Sequence, residues 1–212
     1  MVSTSFWPLP PNSNNPLRPS DSVSSFQAFL RSNGLTFACA ESCTGGLLAR
    51  EMTAPAGSSE VFWGAVVTYS NQAKEKFLGV PAVLIETYGA VSGPVAEAMV
   101  RGLVLTSRVP LGVSITGVAG PGGGTPEKPV GTVWFGLGAT RGGRGSIVAV
   151  RHRFDGSRAR VQSQAARWAR TLARLWWDSH MALDSLRSLA DNDQEPFIEA
   201  SQTPLPFLPN PL

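Results

Sequence analysis

The chain has 212 residues, of which 42% are hydrophobic and 16% charged, and it carries a formal net charge of +3. That length suits one ordinary domain with a single buried core, and the composition is globular, which excludes a fibrous or wholly disordered chain. The positive excess comes largely from arginines late in the chain, so it does not describe a general polyanion-binding surface, and no nucleic-acid partner is expected.

Residues 1–20 hold Pro8, Pro10, Pro11, Pro16 and Pro19 among Asn and Ser, a composition that cannot bury enough apolar surface to offset ordering, and they read as a tail. Residues 35–40 read as a short buried strand, and 44–53 as a helix with Leu47, Leu48 and Met52 on one side. Residues 61–69 are β-rich, 72–78 form a short helix, and 94–107 a longer one with Val95, Met99, Leu103 and Val104 at helical spacing. Three more strands follow at 111–116, 131–138 and 146–154, the last two joined as a hairpin through the turn-rich 141–145. Residues 157–189 read as one long helix or two in succession, with Val161, Ala165, Trp168, Leu172, Leu175 and Trp176 on the apolar side. Beyond 190 the prolines return, at Pro196, Pro204, Pro206, Pro209 and Pro211, and 191–212 reads as a second tail. Its Phe197, Leu205, Phe207 and Leu208 are nonetheless able to dock on a surface. There is no internal repeat. This alternation predicts a three-layer α/β/α domain with a mixed central sheet.

Cys39 and Cys43 are the only cysteines, too close in sequence to staple a fold of this size, and are read as reduced thiols. His152 and His180 share no helix turn and have no carboxylate cluster beside them, so neither a protein-held metal nor another cofactor is expected. No apolar stretch approaches the about 20 residues that span a bilayer. The N-terminus lacks a secretory pattern, which predicts a cytoplasmic protein with no membrane partner.

Three segments carry candidate chemistry. Ala40-Glu41-Ser42-Cys43-Thr44-Gly45-Gly46 is a polar corner between strand and helix, where backbone N–H groups and the helix dipole suit a phosphate or an oxyanion; the plainer reading has Ser42 or Thr44 capping the helix. In Tyr69-Ser70-Asn71-Gln72-Ala73-Lys74 a phenol at a strand end precedes an amine on the next helix by five residues. With no suitably placed histidine, a lysine of lowered pKa, acting directly or through a tyrosine, is the available base for a serine; the plainer reading is an exposed lysine and an edge tyrosine. The third segment runs from Ile115 through Thr116, Gly117 and Gly120 to Gly131. It is neither a Walker loop nor a dinucleotide fingerprint, and its glycines allow backbone to approach a ligand closely.

Together with Val91-Ser92 and Lys128-Pro129-Val130-Gly131, these segments closely resemble the CinA C-terminal domain family, the nicotinamide-nucleotide amidases, over about residues 21–177. The resemblance implies hydrolysis of the carboxamide of nicotinamide mononucleotide to nicotinic acid mononucleotide and ammonia, by a domain spanning 21–190. It assigns Ser42 as nucleophile, Tyr69 and Lys74 as its activators, and Thr116 as a further catalytic position. Glu41, Thr44, Gly45, Gly46, Gly117, Gly120 and Arg158 become candidate substrate-binding residues, the arginine as a bidentate partner for the nucleotide phosphate; Glu41 reads equally as a structural carboxylate that holds the corner and is kept as a supporting residue. Here the family's Gly-Asp-Arg is replaced by Gly156-Ser157-Arg158. Arg151, Arg153, Arg160, Arg167, Arg170 and Arg174 read as a solvated face or a subunit contact. The expected form is stand-alone, without the additional N-terminal domain of longer members, and a homodimer or higher homo-oligomer. An amidase or esterase for another small substrate, or a catalytically silent binding module, are the competing readings.

Overall fold

The computed structural model describes residues 22–141, 144–178 and 202–205. Six strands form one sheet: β1 (Phe37–Glu41), β2 (Phe62–Val67), β3 (Leu111–Gly117), β4 (Thr132–Arg141), β5 (Arg144–Arg153) and β6 (Gln202–Leu205), in the order β2-β1-β3-β4-β5-β6. β1 runs parallel to β2 and β3, and the remaining neighbours pair antiparallel. Around the sheet lie α1 (Val23–Ser32), α2 (Leu47–Thr53), α3 (Asn71–Leu78), α4 (Ala82–Tyr88), α5 (Gly93–Ser107) and α6 (Arg158–Asp178).

Period-two alternation divides the strands' side chains between two unequal faces. Phe37, Leu111, Val113, Ile115, Phe135 and Leu137 point to one face and pack with Phe26 of α1, Leu48 and Met52 of α2, and Trp168, Leu172 and Trp176 of α6. The opposite face carries small residues: Ala38, Ala40, Gly112, Ser114, Gly136 and Gly138. That lets α5 settle almost on the backbone. A Cβ on Gly136 would lie 2.3 Å from the Ala96 carbonyl oxygen, and Ser114 Oγ donates to that carbonyl at 2.6 Å while accepting from Gly136 N–H at 3.2 Å. The architecture is the expected three-layer α/β/α domain with a mixed sheet.

Several elements differ from the sequence reading. α1 follows Ser22, whose side chain accepts from Ser25 N–H and caps it, and α4 begins after Pro81; neither helix was anticipated. α2 begins at Leu47 rather than at 44. Arg170, assigned to a solvated face or a subunit contact, is instead buried and ion-paired with Glu51 of α2, because α2 and α6 pack against each other on the same face of the sheet. Residues 202–205, placed in a tail, pair with β5 as a sheet edge that tolerates Pro204. The N-terminal tail, the continuation of the long helix past Asp178 and the rest of the C-terminal stretch lie outside the described residues. Among those described, no helix is long and apolar enough to cross a membrane.

The seating of α3 on α5 leaves no room at one position: a Cβ on Gly102 would lie 1.8 Å from the Leu78 carbonyl oxygen, whereas one on Gly122 would meet nothing within 4 Å. Gly102→Ala is expected to cost about 2 kcal/mol or more through forced separation of the helices, with Gly122→Ala close to neutral. Thermal unfolding of the two variants beside the parent checks this.

Candidate active site

Because β1, β2 and β3 are parallel, their C-terminal ends meet at one end of the sheet, and β2 and β3 lie on opposite sides of β1, so the order of strand addition switches there. Such an end is where open α/β sheets place ligands. The candidate segments converge on it: Ser42 follows β1, Tyr69 follows β2, Thr116 and Gly117 close β3, and Arg158 opens α6 after β5. A cleft of about 190 Å³ opens at this end, lined by Ser42, Cys43, Tyr69, Asn71, Lys74, Ala90, Val91, Thr116, Gly117, Ala119 and Arg158.

The corner after β1 is built by a carboxylate. Glu41 is fully buried; its Oε2 accepts from the N–H groups of Gly46 and Leu48, each at 3.1 Å, and its Oε1 accepts from Ala49 N–H at 2.8 Å and from the Cys39 thiol at 3.6 Å. These amides belong to the cap and first turn of α2, whose own cap, Gly46, has no side chain to offer. Neither Ser42 nor Thr44 caps the helix. Of the two readings of Glu41, these contacts favour the structural carboxylate that holds the corner. For Gly45 and Gly46, φ values of 62° and 95° explain why they are glycine. Their N–H groups are committed, to the Ser42 carbonyl at 3.1 Å and to Glu41. Thr44 is buried and does not line the cleft.

With the helix capped from upstream, Ser42 is left to face the cleft. Its N–H is tied to the Ile115 carbonyl at 2.9 Å, and its Oγ lies 3.0 Å from Lys74 Nζ. Lys74 is only 1% exposed, and its Nζ also donates to the Thr68 carbonyl at 2.9 Å. Burial pulls the ammonium below the usual lysine range, opposed weakly by the Cys43 thiol. The same burial pushes the Cys43 thiol up to about 12. Burial thus favours the protonated thiol in the cleft wall, and the hydroxyl beside the amine is that of Ser42.

Tyr69 is 62% exposed, and its hydroxyl accepts from Arg158 Nη2 at 2.6 Å; the hydrogen bond joins it to the guanidinium, not to Ser42 or Lys74. Tyr69 thus forms a tyrosine–arginine pair at the cleft mouth. Arg158 Nη1 donates to the Gly120 carbonyl at 2.9 Å, so Gly120 anchors the arginine. Thr116 and Gly117 line the cleft, with the Thr116 hydroxyl donating to the Ala90 carbonyl at 2.8 Å. Gln162 went unread in the sequence: its Nε2 donates to the Cys43 carbonyl at 2.8 Å, and its place four residues after Arg158 on one helix was the available signal. Among the described residues, no group of three or more His, Cys, Asp or Glu is placed to hold a metal ion.

The fold and cleft define an α/β protein with a buried serine–lysine pair of the kind that acyl-transfer enzymes use. The chain belongs to the CinA C-terminal domain family, whose model matches residues 20–175. It is 47% identical over 139 residues to the nicotinamide-nucleotide amidohydrolase PncC of Enterobacter agglomerans, covering 66% of this chain and 83% of that protein. It is 53% identical over 134 residues to a CinA-like protein of Citrifermentans bemidjiense, covering 63% of this chain but only 31% of the relative, so it spans about a third of such longer proteins. Among solved structures, a competence-damaged protein (CinA) superfamily protein from Escherichia coli superposes with a TM-score of 0.68 at 32% identity, over 77% of this chain and 93% of that one. The competence/damage inducible protein CihA from Agrobacterium tumefaciens gives 0.64 at 36% identity, over 72% and 93%.

If Glu41 holds the corner, Glu41→Gln should destabilise the protein by about 3 kcal/mol, since an amide can face the three N–H groups with only one acceptor oxygen. Urea unfolding measures it, and a stability equal to the parent's would show the carboxylate to be dispensable.

Proposed function

We propose that this chain hydrolyses the carboxamide of nicotinamide mononucleotide, giving nicotinic acid mononucleotide and ammonia, with Ser42 as nucleophile and Lys74 as its base. The observation that carries the reading is the Lys74 Nζ to Ser42 Oγ contact of 3.0 Å in a water-poor position where the amine's proton affinity is lowered. A neutral amine that donates to the Thr68 carbonyl keeps its lone pair for the serine proton. Oγ then attacks the carboxamide carbon, the C–N bond of the tetrahedral species breaks, and Lys74 returns the proton to the departing nitrogen as ammonia. Water, deprotonated by the same amine, releases the acyl group.

The substrate class follows from the cleft's size and from its mouth. A volume of about 190 Å³ is below the about 300–1,000 Å³ of pockets that enclose a whole small ligand, so it suits the pyridine carboxamide while ribose and phosphate lie across the rim. There the exposed Arg158 offers a guanidinium already oriented by Tyr69 and Gly120. The similarity to the Enterobacter agglomerans amidohydrolase supports the same assignment.

Incubation of the purified protein with nicotinamide mononucleotide should release ammonia, and Ser42→Ala should release none while unfolding like the parent. Turnover should rise with pH through an apparent pKa below that of free lysine and fall as acid protonates Lys74. Lys74→Arg, which keeps the charge but cannot accept the proton, should be as inactive as Lys74→Ala. Near-parent turnover in Lys74→Arg would make the lysine a fixed charge rather than the base.

The mouth generates a separate expectation. Arg158→Ala should raise KM for the nucleotide roughly tenfold or more, the worth of a charged hydrogen bond, and leave the unphosphorylated riboside unaffected. Tyr69→Phe should raise KM by less and change kcat little. Equal use of riboside and nucleotide by the parent would remove the nucleotide assignment.

A further inference from the structure

Most polar side chains that line the cleft are already engaged inside the protein. Ser42 Oγ and Lys74 Nζ meet at 3.0 Å, the Tyr69 hydroxyl accepts from Arg158 at 2.6 Å, and the Thr116 hydroxyl donates to the Ala90 carbonyl at 2.8 Å. The Cys43 thiol meets its own backbone N–H. Asn71 is the exception: it lines the same cleft and is exposed, and among the described residues its side-chain amide has no hydrogen-bond partner. An asparagine at the start of a helix ordinarily caps it, but the cap of α3 is Ser70, whose Oγ accepts from Ala73 N–H at 3.1 Å. Local structure therefore leaves the Asn71 amide unused. Its place is set by α3: Asn71 and Lys74 are three residues apart, which puts both on one face of the helix, and both reach the cleft.

We infer that Asn71 is a specificity-determining residue for the leaving group: its Oδ1 accepts one N–H of the substrate's carboxamide nitrogen. This rests on the reading of Ser42 as nucleophile and Lys74 as its base. That mechanism requires Lys74 Nζ to reach first the serine proton and then the departing nitrogen, so the nitrogen lies towards the α3 face that also carries Asn71. A carboxamide presents two N–H donors there, and an ester presents none. The Asn71 amide, held by no other group among the described residues, can turn about its last torsion to present the acceptor. The contact strengthens along the reaction, because the nitrogen gains a proton as the C–N bond breaks and its N–H groups become stronger donors.

The test pairs two variants with two substrates, nicotinamide mononucleotide and the methyl ester of nicotinic acid mononucleotide. With the ester the same Oγ attacks the carbonyl carbon, the C–O bond breaks, and Lys74 passes the serine proton to the departing oxygen, which leaves as methanol. Asn71→Ala should lose kcat/KM on the amide by roughly threefold to tenfold, as expected for one hydrogen bond between neutral groups, and stay within about twofold of the parent on the ester. Asn71→Asp keeps an acceptor of the same reach, so its preference for amide over ester should match the parent's. Any effect of its charge on Lys74 is common to both substrates and cancels in that ratio. Ser70 keeps the helix cap in both variants, and circular dichroism checks that they fold like the parent. An equal fall on both substrates in Asn71→Ala, or a fall on neither, would overturn the inference, as would a preference lost as fully in Asn71→Asp as in Asn71→Ala. A parent that cleaves the amide while Asn71→Ala keeps the parent's preference removes only the role of Asn71. A parent that cleaves neither substrate, or the ester alone, removes the amidohydrolase reading and this inference with it.

Discussion

A buried carboxylate that accepts backbone amides from the helix it precedes sets the geometry of the whole site. Taking Glu41 out of water carries a penalty of several kcal/mol unless its oxygens are filled, and the amides of Gly46, Leu48 and Ala49 fill them. Helix N-termini need acceptors, and serine or threonine at the cap usually supplies them. Here the acceptor comes from the last residue of β1, so the chain can pass through Ser42 with the hydroxyl uncommitted. Both left-handed glycines of the turn follow from this: the backbone must double back within two residues to bring the α2 amides over the carboxylate.

Desolvation then sets the charge state of the groups around Ser42. Lys74 lies on the inner side of α3, and α3 is seated so closely on α5 that Gly102 and Leu78 have no space between them. Its Nζ is fixed by the Thr68 carbonyl, while Thr68 N–H in turn donates to the Glu41 carbonyl at 2.7 Å, extending the β1–β2 ladder to the foot of the site. Burial acts in opposite senses on the two polarisable groups around Ser42. It pulls the lysine towards its neutral form and holds the Cys43 thiol protonated. One low-dielectric environment thus favours the uncharged form of both the amine and the thiol.

The strands were legible because their alternation is repeated on both faces, and the convergence of 42, 69 and 116 was legible because each sits at a strand end or just after one, with Lys74 one turn into the helix that follows Tyr69. What sequence reading lost was direction. Glu41, Gly45 and Gly46 stand in the same motif as Ser42, yet period-two alternation puts Glu41 beneath the corner while the serine faces the cleft, and adjacency in a motif carries no sign of that. Tyr69 was paired with Lys74 by proximity in sequence, whereas its partner, Arg158, is 89 residues away. α1 was missed although Phe26, Phe29 and Leu30 follow a serine cap at helical spacing, and Arg170 was misplaced because an arginine on a long helix reads as solvated until a second helix covers it.

β3 shows why register is part of the chemistry. Three consecutive residues at its end serve three directions: the Ile115 carbonyl holds the Ser42 N–H, the Thr116 hydroxyl holds the Ala90 carbonyl of the turn before α5, and Gly117 borders the cleft. Ile115 packs into the large-residue face, while Thr116 belongs to the small-residue face against α5. A slip of one residue between β3 and β1 would exchange those faces. It would press a bulky chain against α5 where Gly112, Ser114 and Gly136 now leave no space, and it would move the acceptor for Ser42 N–H off its mark. The asymmetry of the two sheet faces, large residues towards α6 and small ones towards α5, therefore excludes the slipped register, and in doing so places the serine opposite the lysine.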